Sequence, residues 1–327
     1  MERILGLGNA LTDVCVTLKD DSILKKLGLP KGGMTHISDE LFVEVIGLIR
    51  KMDYSVTPGG SVANACRAMA HLGMPTGFVG KIGDDEFGRF YADSLAKVGT
   101  ENLMIISDTY PSGVCSALIS SDGERTFADH MAASLDLKAE DLTPEMMKGY
   151  QYLYIEGYLV QNHALIQRSA EMAKDMGLKV VMDLASYNVI LQDKEFCRFL
   201  VDEFVDILFA NEEEAHALTG KKPEEALQEL AEKVELVIVK MGAKGALVQQ
   251  GTTRVQADAV KVEQVVDTTG AGDHFSAGFL YGLLKGMPLK RCAELGSMVA
   301  AEAIQVIGAL LPDNKWEEVK MKLRIEH

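Results

Sequence analysis

A chain of 327 residues can bury a full core as one large domain carrying a smaller accessory layer. Its 48 acidic against 33 basic residues leave a formal charge of −15, a field that repels polyanions and excludes a nucleic-acid partner while admitting a small metal-bound phosphate ligand. The five cysteines (Cys15, Cys66, Cys115, Cys197, Cys292) show no CxxC or zinc spacing, and no run approaches the ~20 apolar residues of a membrane helix, so buried thiols, no membrane partner and a cytoplasmic location are the expectation; Glu2 and Asp13 also break the apolar run of a signal peptide.

Arg3 to Leu7 reads as a buried strand, and Gly8-Asn9-Ala10-Leu11-Thr12-Asp13 follows its carboxyl end, where open α/β sheets bind ligands. There Asp13 can accept hydrogen bonds from two vicinal hydroxyls. A dinucleotide loop competes, since Gly6-Leu7-Gly8 starts a GxGxxG, but Leu11 stands at the third glycine and Gly28 where an acidic ribose ligand belongs; a simple turn stays open. Asp13 to Leu18, Met34 to Ile37, Gly113 to Ser120 and Arg125 to His130 are short, partly alternating strands, with a hairpin turn at Ser121-Asp122-Gly123-Glu124. Two excursions, roughly residues 11–37 and 103–131, therefore form a small antiparallel β lid outside a single α/β domain spanning 1–327. So few strands cannot bury both faces alone, so the lid closes over substrate or pairs with the lid of a second copy, a homodimer.

Pro58-Gly59-Gly60-Ser61-Val62-Ala63-Asn64 leads into the helix Ser61 to Leu72. Adjacent glycines permit close backbone approach to a ligand, and Asn64, one turn in, offers an amide to a polyol; a plain loop and an N-capped helix account for the same residues. Beyond Tyr150 the strands Leu153 to Glu156, Val180 to Asp183, Ile207 to Ala210 and Val237 to Lys240 alternate with helices, two of them ended by Gly177 and Gly220, which signals a mostly parallel sheet flanked by helices. Asn211-Glu212-Glu213-Glu214 supplies hard oxygen ligands suited to Mg-bound water, or plain dipole compensation at a helix start. Lys240-Met241-Gly242-Ala243-Lys244-Gly245 is either a phosphate turn or a basic hairpin on a solvated face.

Asp267-Thr268-Thr269-Gly270-Ala271-Gly272-Asp273 follows the strand-like Val260 to Val266 and opens the helix Phe275 to Leu284. The Gly-Ala-Gly turn at a helix N-terminus is an anion site, and a carboxylate beside it suits a general base that takes the proton of an attacking hydroxyl; a helix cap is the competing account of Asp273. His274 either tunes that carboxylate or packs. The chain has no GxxxxGK[ST], GxSxG or HExxH motif.

Together these segments resemble the PfkB family of carbohydrate and nucleoside kinases: DTTGAGDHFSAGF (267–279), PGGSVAN (58–64), GKIGDDEFG (80–88) and NEEE (211–214), in that order. The resemblance implies a ribokinase-like α/β fold and an ATP-dependent phosphotransferase acting on an alcohol group. It makes Asp273 the base and Gly270, Ala271 and Gly272 the anion hole. Asn211 and Glu214 would organise water on Mg2+, while Lys240, Gly242, Gly245 and Ser297 would contact ATP. Asn9, Asp13, Gly59, Gly60, Asn64 and the lid residue Arg125 would hold the acceptor, and a monovalent cation, K+, would sit near Asp267 and Thr269. GNALTD, VDILFANEEEA and GERTFADHMAAS are most similar to adenosine kinases, favouring the 5′-hydroxyl of a nucleoside; Gly33-Met34-Thr35-His36 departs from their lid strand and keeps ribose, fructose or a related sugar open. A sensor of nucleotide or sugar that has lost turnover is the non-enzymatic alternative.

Overall fold

The computed structural model describes residues 2–323; the two ends of the expected 1–327 domain, Met1 and residues 324–327, lie outside the described residues. In chain order the strands are β1 (Ile4–Leu7), β2 (Leu11–Thr17), β3 (Met34–His36), β4 (Tyr54–Pro58), β5 (Thr76–Val79), β6 (Lys81–Gly83), β7 (Glu101–Asn102) and β8 (Ile105–Ser107). They continue with β9 (Gly113–Ile119), β10 (Arg125–His130), β11 (Tyr152–Glu156), β12 (Lys179–Asp183), β13 (Ile207–Asn211), β14 (Leu236–Lys240), β15 (Ala246–Gln250) and β16 (Thr253–Ala257).

Nine strands form the main sheet in the order β16-β15-β14-β13-β12-β11-β1-β5-β7. Pairings from β14 to β7 are parallel, and only β14–β15 and β15–β16 are antiparallel. Side-chain alternation explains the near-continuous apolar runs. Leu5, Leu153, Val180 and Leu208 face one helix layer, which includes His163–Asp175. Ile4, Tyr154, Val181 and Phe209 face the other, where the helices Ser61–His71, Ala271–Leu284, Leu289–Ala303 and Asp313–Leu323 pack. Helices on both faces require apolar residues at every strand position. Gly177 and Gly220 take positive φ, 78° and 75°, where their helices end.

The smaller sheet has the order β3-β10-β9-β2-β4. Its hairpin β9–β10 is antiparallel and closes through Ser120 N–H to Glu124 O at 2.8 Å; β2–β4 is antiparallel too, whereas strands from the separate excursions meet in parallel, β2 with β9 and β3 with β10. The excursion boundaries differ from the expected 103–131: β7 and β8 pair with β5 and β6 in the body, and the lid gains β4, whose alternation was too weak to read. The lid also covers one of its own faces. Val14, Val16, Val114, Leu118 and Ala128 pack on Leu24, Leu27, Val45, Ile46 and Ile49 of the helices Ser22–Leu27 and Asp39–Ile49. The opposite face carries Asp13, Cys15, Cys115, Phe127, Asp129 and His36, so Cys15 and Cys115 are only half-buried, unlike Cys66, Cys197 and Cys292.

Val260 to Val266 is not a strand. Val260, Val265 and Val266 are exposed, and the N–H groups of Val266 and Asp267 bond Ile304 O, so β-branched side chains find no ladder there. Among the described residues no helix is long and apolar enough to cross a membrane.

Candidate active site

Two helix N-termini converge at the carboxyl ends of the central strands. Gly60, at φ 87°, turns β4 into the helix Ser61–His71; a Cβ there would stand 2.4 Å from Asn9 O, so only glycine fits. Gly270, at φ 75° against Ala309, starts the helix Ala271–Leu284 in the same way. Ser61 Oγ donates to Asp273 Oδ1 at 2.7 Å, and Asn64 Nδ2 donates to Oδ2 at 3.0 Å. The Asp273 carboxylate is therefore held by the neighbouring helix rather than by its own. That is not the bonding of a helix cap, whose oxygen would accept from N–H groups one turn on. Burial pushes its carboxyl up to about 6, the Ser61 and Asn64 bonds pull the other way, and Asp183 adds to the rise while Lys240 opposes it.

The Gly-Ala-Gly turn is less uniform than expected. Ala271 N–H closes onto Thr268 O at 3.2 Å, while the N–H groups of Gly272 and Asp273 meet no acceptor among the described residues. A Cβ on Gly272 would lie 3.2 Å from Lys240 Nζ, so this glycine leaves space for the ammonium beside the turn. Lys240 is not on a solvated face: it is half-buried at the end of β14 and donates to Asp183 Oδ2 at 2.7 Å. Burial opposes its charge, but Asp183 and Glu214 outweigh that and raise its pKa. The anion site thus combines a helix N-terminus with a fixed cation.

The acceptor side is built on β1, β2 and β4. Gly59 packs on the Asp13 carboxylate, 2.7 Å from where its Cβ would be, and Asp13 is pushed up to about 7 by burial and by Asp129, against Arg67. Asn9 Nδ2 donates to Glu156 Oε1 at 2.9 Å, while Asn9 Oδ1 is buried without a partner. Glu156 also accepts from Val62 N–H at 3.3 Å and is raised to about 7, burial outweighing these bonds.

Arg125 Nη1 pairs with Asp267 Oδ2 at 3.1 Å, tying lid to body. Asp267 also accepts from Gly308 N–H and from Thr269 N–H and Oγ1; burial alone would raise its pKa, but these donors hold it at about 2. Four protein donors therefore already reach the Asp267 carboxylate, which leaves that side chain little capacity for the expected monovalent cation. Glu214 is engaged in a capping box: Asn211 N–H and Nδ2 donate to its two oxygens at 2.8 and 2.7 Å, and Asn211 Oδ1 accepts from Glu214 N–H. Burial raises Glu214 to about 7, with Lys240 opposing and Asp183 reinforcing. Ser297 is buried in the helix Leu289–Ala303, and Gly242 and Gly245 line the turn after β14 at φ 53° and 89°; among the described residues no hydrogen bond joins the three to Asp273. His274 packs: Nδ1 bonds Gly270 O at 2.9 Å, its ring stacks on Trp316, and burial lowers it to about 4.

Among the described residues no three His, Cys, Asp or Glu side chains form a metal cage. The oxygen donors near Lys240, Asp183 and Glu214 with Asn211 beside them, fit a divalent ion held through water and nucleotide phosphates rather than one caged by protein.

Sequence reading missed Glu156 and Asp183, though the signal was present. Each is an acid ending a buried strand, YLYIE and KVVMD, as Asn211 ends β13. Ser61, Arg67 and Asp129 carried no such signal; their roles come from neighbours far away in the chain.

The family model for pfkB family carbohydrate kinases matches residues 34–316. The chain is similar to the crystal structure of adenosine kinase from Sinorhizobium meliloti, at 30% identity over 97% of this chain and 98% of that one, with a TM-score of 0.83. A probable sugar kinase from Rhizobium etli CFN 42 superposes with a TM-score of 0.85, at 28% identity over 99% of both chains. The ribokinase of Arabidopsis thaliana is 30% identical over 280 residues, 79% of this chain and 70% of that protein.

Proposed function

The chain belongs to the pfkB family of carbohydrate kinases, phosphotransferases with an alcohol acceptor, and from that premise we propose that it transfers the γ-phosphoryl group of ATP to the 5′-hydroxyl of a nucleoside, adenosine foremost. One observation carries the chemistry: the Asp273 carboxylate accepts from Ser61 and Asn64 of the neighbouring helix, and Gly272 beside it on its own helix N-terminus leaves space for Lys240. A hydroxyl bound over Asp13 and Asn9 gives its proton to Asp273 as its oxygen attacks phosphorus, and ADP leaves with the electrons of the broken P–O bond. The N–H groups of Gly272 and Asp273, with Lys240, stabilise the charge on the transferring phosphoryl group. A divalent ion, when bound, neutralises phosphate charge and aligns the β- and γ-phosphates.

Phe127, half-buried on the body-facing side of the lid, supports a planar base as part of the acceptor. A free sugar is the second reading, favoured by Asp129: a buried carboxylate on that same face, with Oδ1 unpartnered, suits another hydroxyl. Incubating the protein with MgATP and a panel of nucleosides and sugars while following ADP release separates them. Release with adenosine and little with ribose or fructose supports the nucleoside; the reverse overturns it.

A further inference from the structure

Behind Asn64, on the side away from the strands, the helices Ser61–His71, Glu86–Lys97 and Asp313–Leu323 enclose a cavity of about 390 Å³, within the usual range of about 300–1,000 Å³ for small-molecule sites. Ala68, Phe90, Val98, Leu310 and Leu311 give it apolar walls. One end is a ring stack, His71 on Trp316 at 4.7 Å and Trp316 on His274 at 5.8 Å. Burial lowers both imidazoles to about 4, so they are neutral and the stack is an uncharged aromatic surface.

The polar focus is Arg67. Its side chain is buried and has no carboxylate within ion-pair distance among the described residues: Nη1 donates to Gly59 O and Asn64 Oδ1, Nη2 to Ser94 Oγ, and the guanidinium lies over the Tyr91 ring. Nε is buried with no acceptor among the described residues. Asp93 and Asp313 also border the cavity but sit exposed at its mouth, where Asp313 pairs with Lys97 at 3.0 Å. A buried permanent cation with a spare donor next to apolar and aromatic walls is costly unless an anion completes it.

We propose that this cavity is a second ligand site, distinct from the acceptor and ATP sites, for a small aromatic molecule bearing one anionic group, whose anion meets Arg67 and whose ring packs beside Trp316. Occupancy reaches the catalytic centre by a continuous route: Arg67 Nη1 to Asn64 Oδ1 at 3.3 Å, then Asn64 Nδ2 to Asp273 Oδ2 at 3.0 Å. An anion that draws Arg67 toward the cavity loosens its hold on Asn64 and shifts the Asn64 bond to Asp273. The binding half stands by itself; the coupling half rests on Asp273 as base.

Trp316 is the sole tryptophan, so its emission reports on this cavity directly. Phenylacetate, benzyl alcohol and benzylamine, matched in ring and differing in charge, are titrated into the full chain with ADP and the acceptor identified by ADP release both saturating. For probes so small the expected Kd is on the order of 1 mM. The expected result is a saturable change with phenylacetate, a response at least about tenfold weaker with the alcohol, and none with the amine. Ala68→Leu fills the cavity and leaves Arg67 in place; it should abolish the response with its unfolding temperature kept. Arg67→Met should abolish the preference for the anion. No saturable response, an equal response to benzylamine, or unchanged phenylacetate binding in folded Ala68→Leu would each overturn the site. Saturating phenylacetate should also change kcat at least about twofold in the parent and not in Ala68→Leu. Binding without any change in kcat overturns the coupling and leaves the site standing, and neither outcome depends on which acceptor is phosphorylated.

Discussion

Replacing Asp273 by Asn distinguishes a general base from a helix cap, because the two roles move stability in opposite directions. A cap contributes about 1 kcal/mol, which its loss forfeits. A buried base carries a burden instead. From the ordinary 3.8 to about 6, the folded state disfavours the charged carboxyl by roughly 3 kcal/mol at ~1.4 kcal/mol per pKa unit. Allowing for its residual exposure, Asn should stabilise the fold by about 1–3 kcal/mol, or roughly 2–6 °C in unfolding temperature. The sign follows from linkage. A carboxyl with a raised folded pKa costs stability above about pH 6 and nothing below its ordinary 3.8, so the gain is full near neutrality and vanishes on acidification. Turnover should fall by ~10²–10⁴, the range for removing general base catalysis. Scanning fluorimetry of both proteins at several pH values, with ADP release measured alongside, provides the assay. An unfolding temperature that drops near neutrality while turnover stays near normal would return Asp273 to the status of a cap.

Ser61→Ala removes a donor that favours the charged form of Asp273, so the acid limb of kcat/KM should move upward by about 1–2 pH units, from the 1.5–3 kcal/mol typical of a bond to a charged group; a limb that stays in place refutes the link. Lys240→Met leaves Asp183 buried without its cation and should cost about 3–5 kcal/mol in urea unfolding, much of it recovered by adding Asp183→Asn; a variant as stable as the parent would show the pair to be slack. Asp129→Asn should raise the KM of the true acceptor about tenfold or more while the KM for ATP holds, since Oδ1 faces the acceptor side of the lid without a partner; equal change in both constants points to misfolding of the lid.

Much of the molecule was legible because it depends on local rules. Apolar strand runs, Gly177 and Gly220, and the hairpin at 121–124 follow from backbone conformation and residue spacing, which the chain states directly, while the order of PGGSVAN, NEEE and DTTGAGD carried the resemblance to the family. The strand expected at 260–266 failed because propensity specifies a shape and not a partner, and β4 went unread because pairing with β2 rather than its own pattern makes it a lid strand. The site divides along the same line. Sequence identified Asp273 as an acid after a glycine turn, but only the fold brings Ser61 and Asn64, 212 and 209 residues away, onto its two oxygens, and only burial lifts it toward neutrality. Arg125 shows the converse: its lid position was read correctly, while its partner, Asp267, lies 142 residues away. Charge, polarity and turn geometry belong to the residue and its neighbours, so the sequence determines them. Which donors surround a carboxylate, and how much water reaches it, are set by distant segments meeting, so the tertiary structure alone decides them.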